Sequence, residues 1–484
     1  MKVTQVSIQP TEAAKASGSP SLTPELLAAS AARYSRNNEG LESILSRIDP
    51  NNLDKSVDSI FRMIDYGHQS IADMVPVAMF MDNISIYLAY YVWTLCPTAG
   101  GQESSTRYIE INSDALVSPE LLGIPEKLIP EWQKAMNKAF DSYKQALELW
   151  RQIGEIQPEL TSIPQEILAD KSPKGIKITA RMSRNYRFDR ARCYLPVAAA
   201  TNMMLMMSAR AWAQLCQHLS SHPLPEAKML AENIRNELNL TSPRLMKHAH
   251  RTDSIANGMQ AEFNNLSQHA ATGLPATLIE NATTTEPPPL VHVTVTPPSN
   301  LNSPPSTPHT SLSTLFPSDL QHHDNRYAWV GSTLCRTAVR FKCDAMSMGE
   351  IRDLNRHRTG NKYCPLIPQG FYSSLEQLPP DTTQISTQVE KLQEINMIGR
   401  DLSATAHNQL ATGDPSYIHW TLLGTQYSFE HLTTADKFIY EAELRTGIGS
   451  HYRYAKHLKD ALSEWYKQFP ETKGLILEGD AEPE

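Results

Sequence analysis

No chain can run one continuous core through TTTEPPPLVHVTVTPPSNLNSPPSTPHTSLSTLFPSD, residues 283–319. Proline, serine and threonine dominate this stretch, and no amphipathic period is sustained. Such a composition buries too little apolar surface to offset the entropy of ordering it. It reads as a disordered or semi-extended linker. The chain is therefore expected to divide into an N-terminal unit over 21–282 and a C-terminal unit over 320–470. A flexible stretch, 1–20, precedes them and an acidic tail, 471–484, follows.

Each flank has the makings of a folded unit. The 484 residues are 40% hydrophobic and 20% charged, ordinary values for globular domains. The net charge of −8 argues against a surface that coats nucleic acid, although a local basic pocket remains compatible with it. MKVTQVSIQP has no apolar signal core, and the longest largely apolar run, Leu195 to Met207, is too short to span a bilayer. The six cysteines form no CxxC pair and read as reduced thiols rather than a disulfide framework or zinc site. The expectation is a cytoplasmic protein with no bound metal, no membrane and no nucleic-acid partner.

Periodicity points to an α+β class, strands mixed with long helices in both units. Pro24–Ile48 and Asn52–Asp65 are expected to be helical and Val75–Met81 a strand. Ile84–Thr94 is apolar almost throughout, so it is a buried helix or strand. Trp132, Met136, Phe140, Tyr143, Leu147 and Trp150 recur at helical spacing in Ile129–Ile153. Val197–Leu219 reads as a second long helix. In the C-terminal unit, Thr333–Cys343 reads as a strand, and Ser347–Asn355, Thr387–Leu410 and Thr433–Phe469 as helices. FMDNISIYLAYYVWTLC in the first unit lies against KCDAMSMGEIRDLNRHR in the second, with Asp82 and Ser85 opposite Asp344 and Ser347. This match suggests a duplication.

Five places carry candidate chemistry. Arg356-His357-Arg358 is the densest basic point in the chain; it suits phosphates or an anionic ring, but also an ordinary helix C-terminus. Glu103, Ser105, Arg107 and Tyr108 follow a turn signal in GQESSTRYIEI. Arg192 and Arg210 flank an apolar segment, and if that segment were one helix they would share a face; Pro196 argues against continuity. Glu443-Leu444-Arg445 closes a helix. His68, in Gly67-His68-Gln69-Ser70, is a ligand contact or a packed histidine. No P-loop, HExxH or GxSxG motif is present.

The order of these residues resembles the flavin-dependent thymidylate synthases (ThyX). That family carries a GHxS element, RHR followed by E-x-S-x-R-Y, an arginine before Leu-Pro, and Asn-Ala-Arg followed by Leu-Arg. The resemblance covers roughly residues 55–240 and, more faintly, 333–460. In the first unit, apolar residues within Trp93–Pro97 replace the triplet, and Ser208-Ala209-Arg210 stands for Asn-Ala-Arg. The second unit keeps Arg356-His357-Arg358 and Leu444-Arg445 but has no S-x-R-Y. The resemblance implies reductive methylation of dUMP with FAD, NADPH and methylenetetrahydrofolate. Ser105, Arg107, Arg192 and Arg445 would bind the nucleotide, and His68, Arg356, His357, Arg358 and Arg210 the flavin. Glu103 and Arg445 would take catalytic roles. Because each half lacks what the other retains, the halves are expected to share one site, in a homo-oligomer of two chains that imitates the family's tetramer. The alternative is a non-catalytic relative kept for assembly or for nucleotide or flavin binding.

Overall fold

The computed structural model describes residues 1–34, 40–49, 52–53, 57–58, 69–273, 291–296, 312–447 and 450–479. By packing, these residues fall into two units. One comprises 1–105, 111–132 and 198–265; the other comprises 106–110, 133–197 and 266–484. Packing thus divides the chain differently from the proline-rich landmark: 106–110 and 133–197, expected in the first unit, pack into the second.

Unit 1 is built on an antiparallel sheet of β1 (Lys2–Val6), β2 (Pro76–Ser85), β3 (Gly100–Glu103) and β4 (Ala200–Ser208), in the order β1-β2-β4-β3. Val77, Met79 and Met81 of β2 join Met203, Leu205 and Met207 of β4 in its core. Trp212, Leu215 and Leu219 of helix Ala209–Ser221 close over them. Here two expectations are overturned: within 1–20, expected to be flexible, Lys2–Val6 is a strand paired with β2, and Val197–Leu219 is not one helix but β4 followed by the Ala209–Ser221 helix. The strand's outward positions include Met204 and Met206, so both faces are apolar and no alternation marks the strand. Arg192 and Arg210 therefore do not share a helical face. The turn from strand to helix is fixed by Ser208, whose Oγ accepts from Ala211 N at 3.2 Å.

Unit 2 carries a second antiparallel sheet, of β5 (Val291–Thr296), β6 (Ala338–Ser347), β7 (Asn361–Tyr363), β8 (Gly370–Phe371) and β9 (Thr425–Thr434). Its order is β5-β6-β9-β7, with β8 also on β9. Around it lie helices Pro173–Ala191, Met348–Asn355, Ser386–Ala411, Ala435–Arg445 and Tyr452–Gln468, and Ile129–Ile156 from Gln133 onward. Four expectations change. Thr333–Cys343, expected as a strand, begins in the short helix Ser332–Arg336, and the strand starts at Ala338. Val291–Thr296 is an edge strand rather than linker; its VHVTVT alternation of β-branched residues pairs fully with β6. Leu312–Asp319, at the linker's far end, is a helix. Thr433–Phe469 begins as the end of β9 and continues as two helices. The remainder of the 283–319 segment lies outside the described residues.

The two sheets repeat one another pair by pair. Pro76↔Ser208 corresponds to Ala338↔Thr434, Met81↔Met203 to Cys343↔Phe429, and Ser85↔Ala200 to Ser347↔Gln426. The register shifts at the same step, Met81/Ile84 in one sheet and Cys343/Met346 in the other. Both strands then end on a serine that caps the next helix. Ser85 Oγ accepts from Leu88 N at 3.0 Å, and Ser347 forms a capping box with Glu350. The duplication inferred from Asp82/Ser85 and Asp344/Ser347 is thus present in the backbone.

Within unit 2 the repeats also pair with each other. Pro196 bridges Leu422, Val197 N donates to Thr421 O at 3.1 Å and Leu423 N to Leu195 O at 2.8 Å. Pro196 precedes Ala200 by the same step as Leu422 precedes Gln426, so each repeat meets its own equivalent across a local two-fold. Gly424 permits the close approach: a Cβ there would stand 2.4 Å from Tyr372 O and 2.9 Å from Cys193 Cβ.

Candidate active site

The pairing at Pro196 and Leu422 delivers Arg192, at the end of the Pro173–Ala191 helix, to the Met348–Asn355 helix. Arg192 is buried, and its Nη2 donates to Asp353 Oδ2 at 2.9 Å. The other oxygen of the same carboxylate accepts from Arg356 Nη2 at 2.5 Å, one turn further along the chain. Burial would raise the Asp353 pKa, but Arg192 and Arg356 together hold it well below the usual carboxylate range. Arg107 joins this cluster through Asp189, with Nε to Oδ1 at 2.6 Å and Nη2 to Oδ2 at 2.7 Å. His451 Nε2 donates to the Asp189 carbonyl at 2.9 Å; burial, then Arg192, push its pKa down to about 4, so it is neutral.

A second group adjoins the end of the Met348–Asn355 helix. Arg445 Nε donates to His357 Nε2 at 2.8 Å, so that nitrogen carries no proton. Burial, then Arg445, keep the His357 pKa far below normal and the ring neutral. Arg445 also lies 5.7 Å from the centre of the Tyr454 ring. The expected cationic triplet is therefore not three like side chains. His357 is buried and turned to Arg445, Arg356 is partly exposed, and Arg358 is exposed.

Beside it, Glu441 is buried, hydrogen-bonded by Thr359 Oγ, and 3.4 Å from His431 Nδ1. This is not an ion pair near neutral pH: burial raises Glu441 to about 7 and lowers His431 to about 3. The protonated carboxyl contributes stability that is complete below its ordinary value of 4.5 and is lost as pH rises through about 7. Relative to Glu441→Gln, the natural protein should lose about 2–3 kcal/mol of stability between about pH 5 and pH 8. Urea titrations of both proteins at the two pH values measure this. Parallel losses would show that Glu441 is not the group responsible.

The structure thus brings together, in unit 2, Arg107 and Arg192 from the first repeat with Arg356, His357 and Arg445 from the second. It places three other candidates in unit 1. Glu103 accepts from Trp93 Nε1 at 3.2 Å, Ser105 is half-buried, and Arg210 pairs with Asp73 at 2.8 Å on the surface. His68 lies outside the described residues. Sequence reasoning missed Asp189, Asp353 and His451, which organise the arginines. The available signal was spacing: Asp353 stands a turn before Arg356, and Asp189 three residues before Arg192. The register match also shows what the first repeat lost. Asp353, Arg356 and His357 fall on Tyr91, Thr94 and Leu95, and Glu441 and Arg445 on Leu215 and Leu219. Among the described residues no group of acidic, histidine or cysteine side chains suits a metal ion, and no helix is long and apolar enough to cross a membrane.

Comparison with known proteins shows what the chain is similar to. Residues 20–244 match the family model described as "Thymidylate synthase complementing protein", so the family resemblance carried by the motifs holds over that stretch. Among individual relatives, the UPF0159 protein Ta1429 of Thermoplasma acidophilum is 26% identical over 234 residues, 45% of this chain and 47% of that protein. The chain spans about half the length of this curated relative. Two solved structures are also similar. One is a UMP/dUMP methylase, PolB from Streptomyces cacaoi, bound with 5-Br dUMP (16% identity, 51% of this chain, 93% of that one, TM-score 0.31). The other is the flavin-dependent thymidylate synthase ThyX from Helicobacter pylori, complexed with FAD and dUMP (13% identity, 52% of this chain, 100% of that one, TM-score 0.30).

Proposed function

We propose that this chain is a flavin-dependent thymidylate synthase-like enzyme that methylates dUMP, with methylenetetrahydrofolate as carbon donor and NADPH as reductant. The observation that carries the reading is the single cluster in unit 2, in which motif arginines of both repeats share the carboxylate of Asp353 or lie in its field. Arg107 and Arg192 would take the nucleotide phosphate, since guanidinium donors suit a dianion, and Ser105 keeps the role the family resemblance implies. Arg445, held in place by the neutral imidazole of His357, would face the uracil edge and stabilise charge developing there. Glu103, Arg210 and His68 keep the roles the family resemblance implies. FAD, when bound, supplies the hydride; Arg356 and Arg358, the more exposed cations of the cluster, suit its anionic portions. His357 does not fit as a flavin contact, because its Nε2 is committed to Arg445.

Changing Arg356 and Arg358 together to Ala should remove FAD without unfolding the chain, because Asp353 keeps Arg192 as partner. The flavin-to-protein ratio checks this, and undiminished flavin in a folded double variant would refute the assignment. The reading as a whole is tested by incubating the purified chain with FAD, dUMP, methylenetetrahydrofolate and NADPH. Formation of dTMP supports it. A colourless protein that neither retains FAD nor makes dTMP sinks it. A second reading, a non-catalytic relative that still binds ligand, is favoured by the apolar residues at the first repeat's equivalent positions. It requires flavin or nucleotide binding without turnover. A homo-oligomer of two chains is part of the proposal and is checked by light scattering.

A further inference from the structure

Asp189 meets Arg107 in two parallel N–H···O contacts, at 2.6 and 2.7 Å. This is also the way a guanidinium grips two oxygens of a phosphate. The side chains of both partners are mostly buried, with 14% and 9% of their surface accessible, so this is not a loose surface pair. The carboxylate occupies the edge of Arg107 that a nucleotide phosphate would need. We propose that Asp189 is an internal anion seated in the phosphate-gripping edge of Arg107, and that an incoming phosphate monoester displaces it. This rests on the reading of Arg107 as a nucleotide-phosphate residue and adds to it how access to that residue is controlled.

A displaced carboxylate needs another cation, and Arg192 is at hand: the buried Asp189 lies in its field as well as in that of Arg107. His451 Nε2 holds the Asp189 backbone carbonyl, so the exchange asks only the side chain to move. No bond forms or breaks covalently; one ion pair is exchanged for another. The exchange discriminates by charge. A dianionic phosphate outcompetes a single carboxylate, whereas an uncharged nucleoside has nothing to displace it with.

The sign of one measurement separates this from an orienting role. If Asp189 merely holds Arg107 in place, removing its charge weakens phosphate binding. If it competes with phosphate, removing its charge strengthens binding. Calorimetric titration of the full chain and of Asp189→Asn with dUMP, deoxyuridine and inorganic phosphate is the experiment. The expected result is at least tenfold tighter dUMP and inorganic phosphate in the variant, with deoxyuridine unchanged. Phosphate binding that weakens or stays the same overturns the proposal, as does an equal change for deoxyuridine. Tighter inorganic phosphate without any dUMP binding would leave the exchange standing and refute the nucleotide reading. Uptake of neither probe by either protein refutes the exchange. Asp189→Ser serves if the first variant misfolds. If both misfold, hydrogen exchange of the natural chain decides: saturating phosphate should speed exchange around Asp189, and protection alone would overturn the proposal.

Discussion

Arg192→Ala should cost about 3–5 kcal/mol of unfolding free energy, the usual loss when one partner of a buried ion pair is removed. Only 3% of Arg192 is accessible, and Asp353 draws on it for one of its two charged partners. The loss comes from the carboxylate left behind more than from the missing attraction. Arg356, with 32% of its side chain accessible, cannot neutralise Asp353 as fully through water-screened contact. Urea denaturation gives the number, and a second substitution gives its cause. Adding Asp353→Asn to Arg192→Ala should recover part of the stability, because the stranded charge is gone. A loss under about 1 kcal/mol, or no recovery in the double variant, would show that the pair is weaker than its burial implies.

Severing the chain between residues 273 and 291 should abolish folding of the C-terminal piece alone. Unit 2 takes 106–110 and 133–197 from the first repeat. Without them, Thr421 and Leu423 lose their backbone partners, His451 loses the Asp189 carbonyl, and Asp353 loses Arg192. Each of these leaves a buried polar group unsatisfied, at about 1–3 kcal/mol apiece and more for the charge. Their sum is comparable with the roughly 5–15 kcal/mol that stabilises a typical domain. Coexpression of 1–282 with 291–484 should restore a soluble complex, and only that complex should bind both FAD and dUMP. A cooperative unfolding transition from 291–484 alone would contradict this, as would a lone 1–282 piece binding both ligands.

What could be read beforehand followed from local physics. The Ser85 and Ser347 caps, the strand before each and the 28-residue helix Ile129–Ile156 all leave local signals in spacing and residue type. The residues that carry the family resemblance could be picked out because each lies in a short string. β4 was not, since methionines on both its faces erase the alternation that marks a strand. β5 was hidden by its surroundings: six alternating residues set in a proline-rich stretch. Asp189 and Asp353 carried no motif, and their importance lies in what the fold brings to them. His357 could be found but not oriented, because only the fold decides that it turns toward Arg445.

The backbone pairing of Pro196 with Leu422 has an evolutionary consequence. Where two identical chains meet on a symmetry axis, every mutation arrives twice, once on each side. An arginine beside the axis then faces its own copy, and two guanidiniums must be kept apart or neutralised. Here both sides are encoded separately. Arg192 stands in one repeat, and the equivalent position in the other is Ile418. The axis is only approximate, so one side carries a buried charge while the other carries hydrocarbon. Symmetry-related positions are thereby freed to specialise, one for charge pairing and one for packing, a division of labour not open to a homodimer of a single repeat.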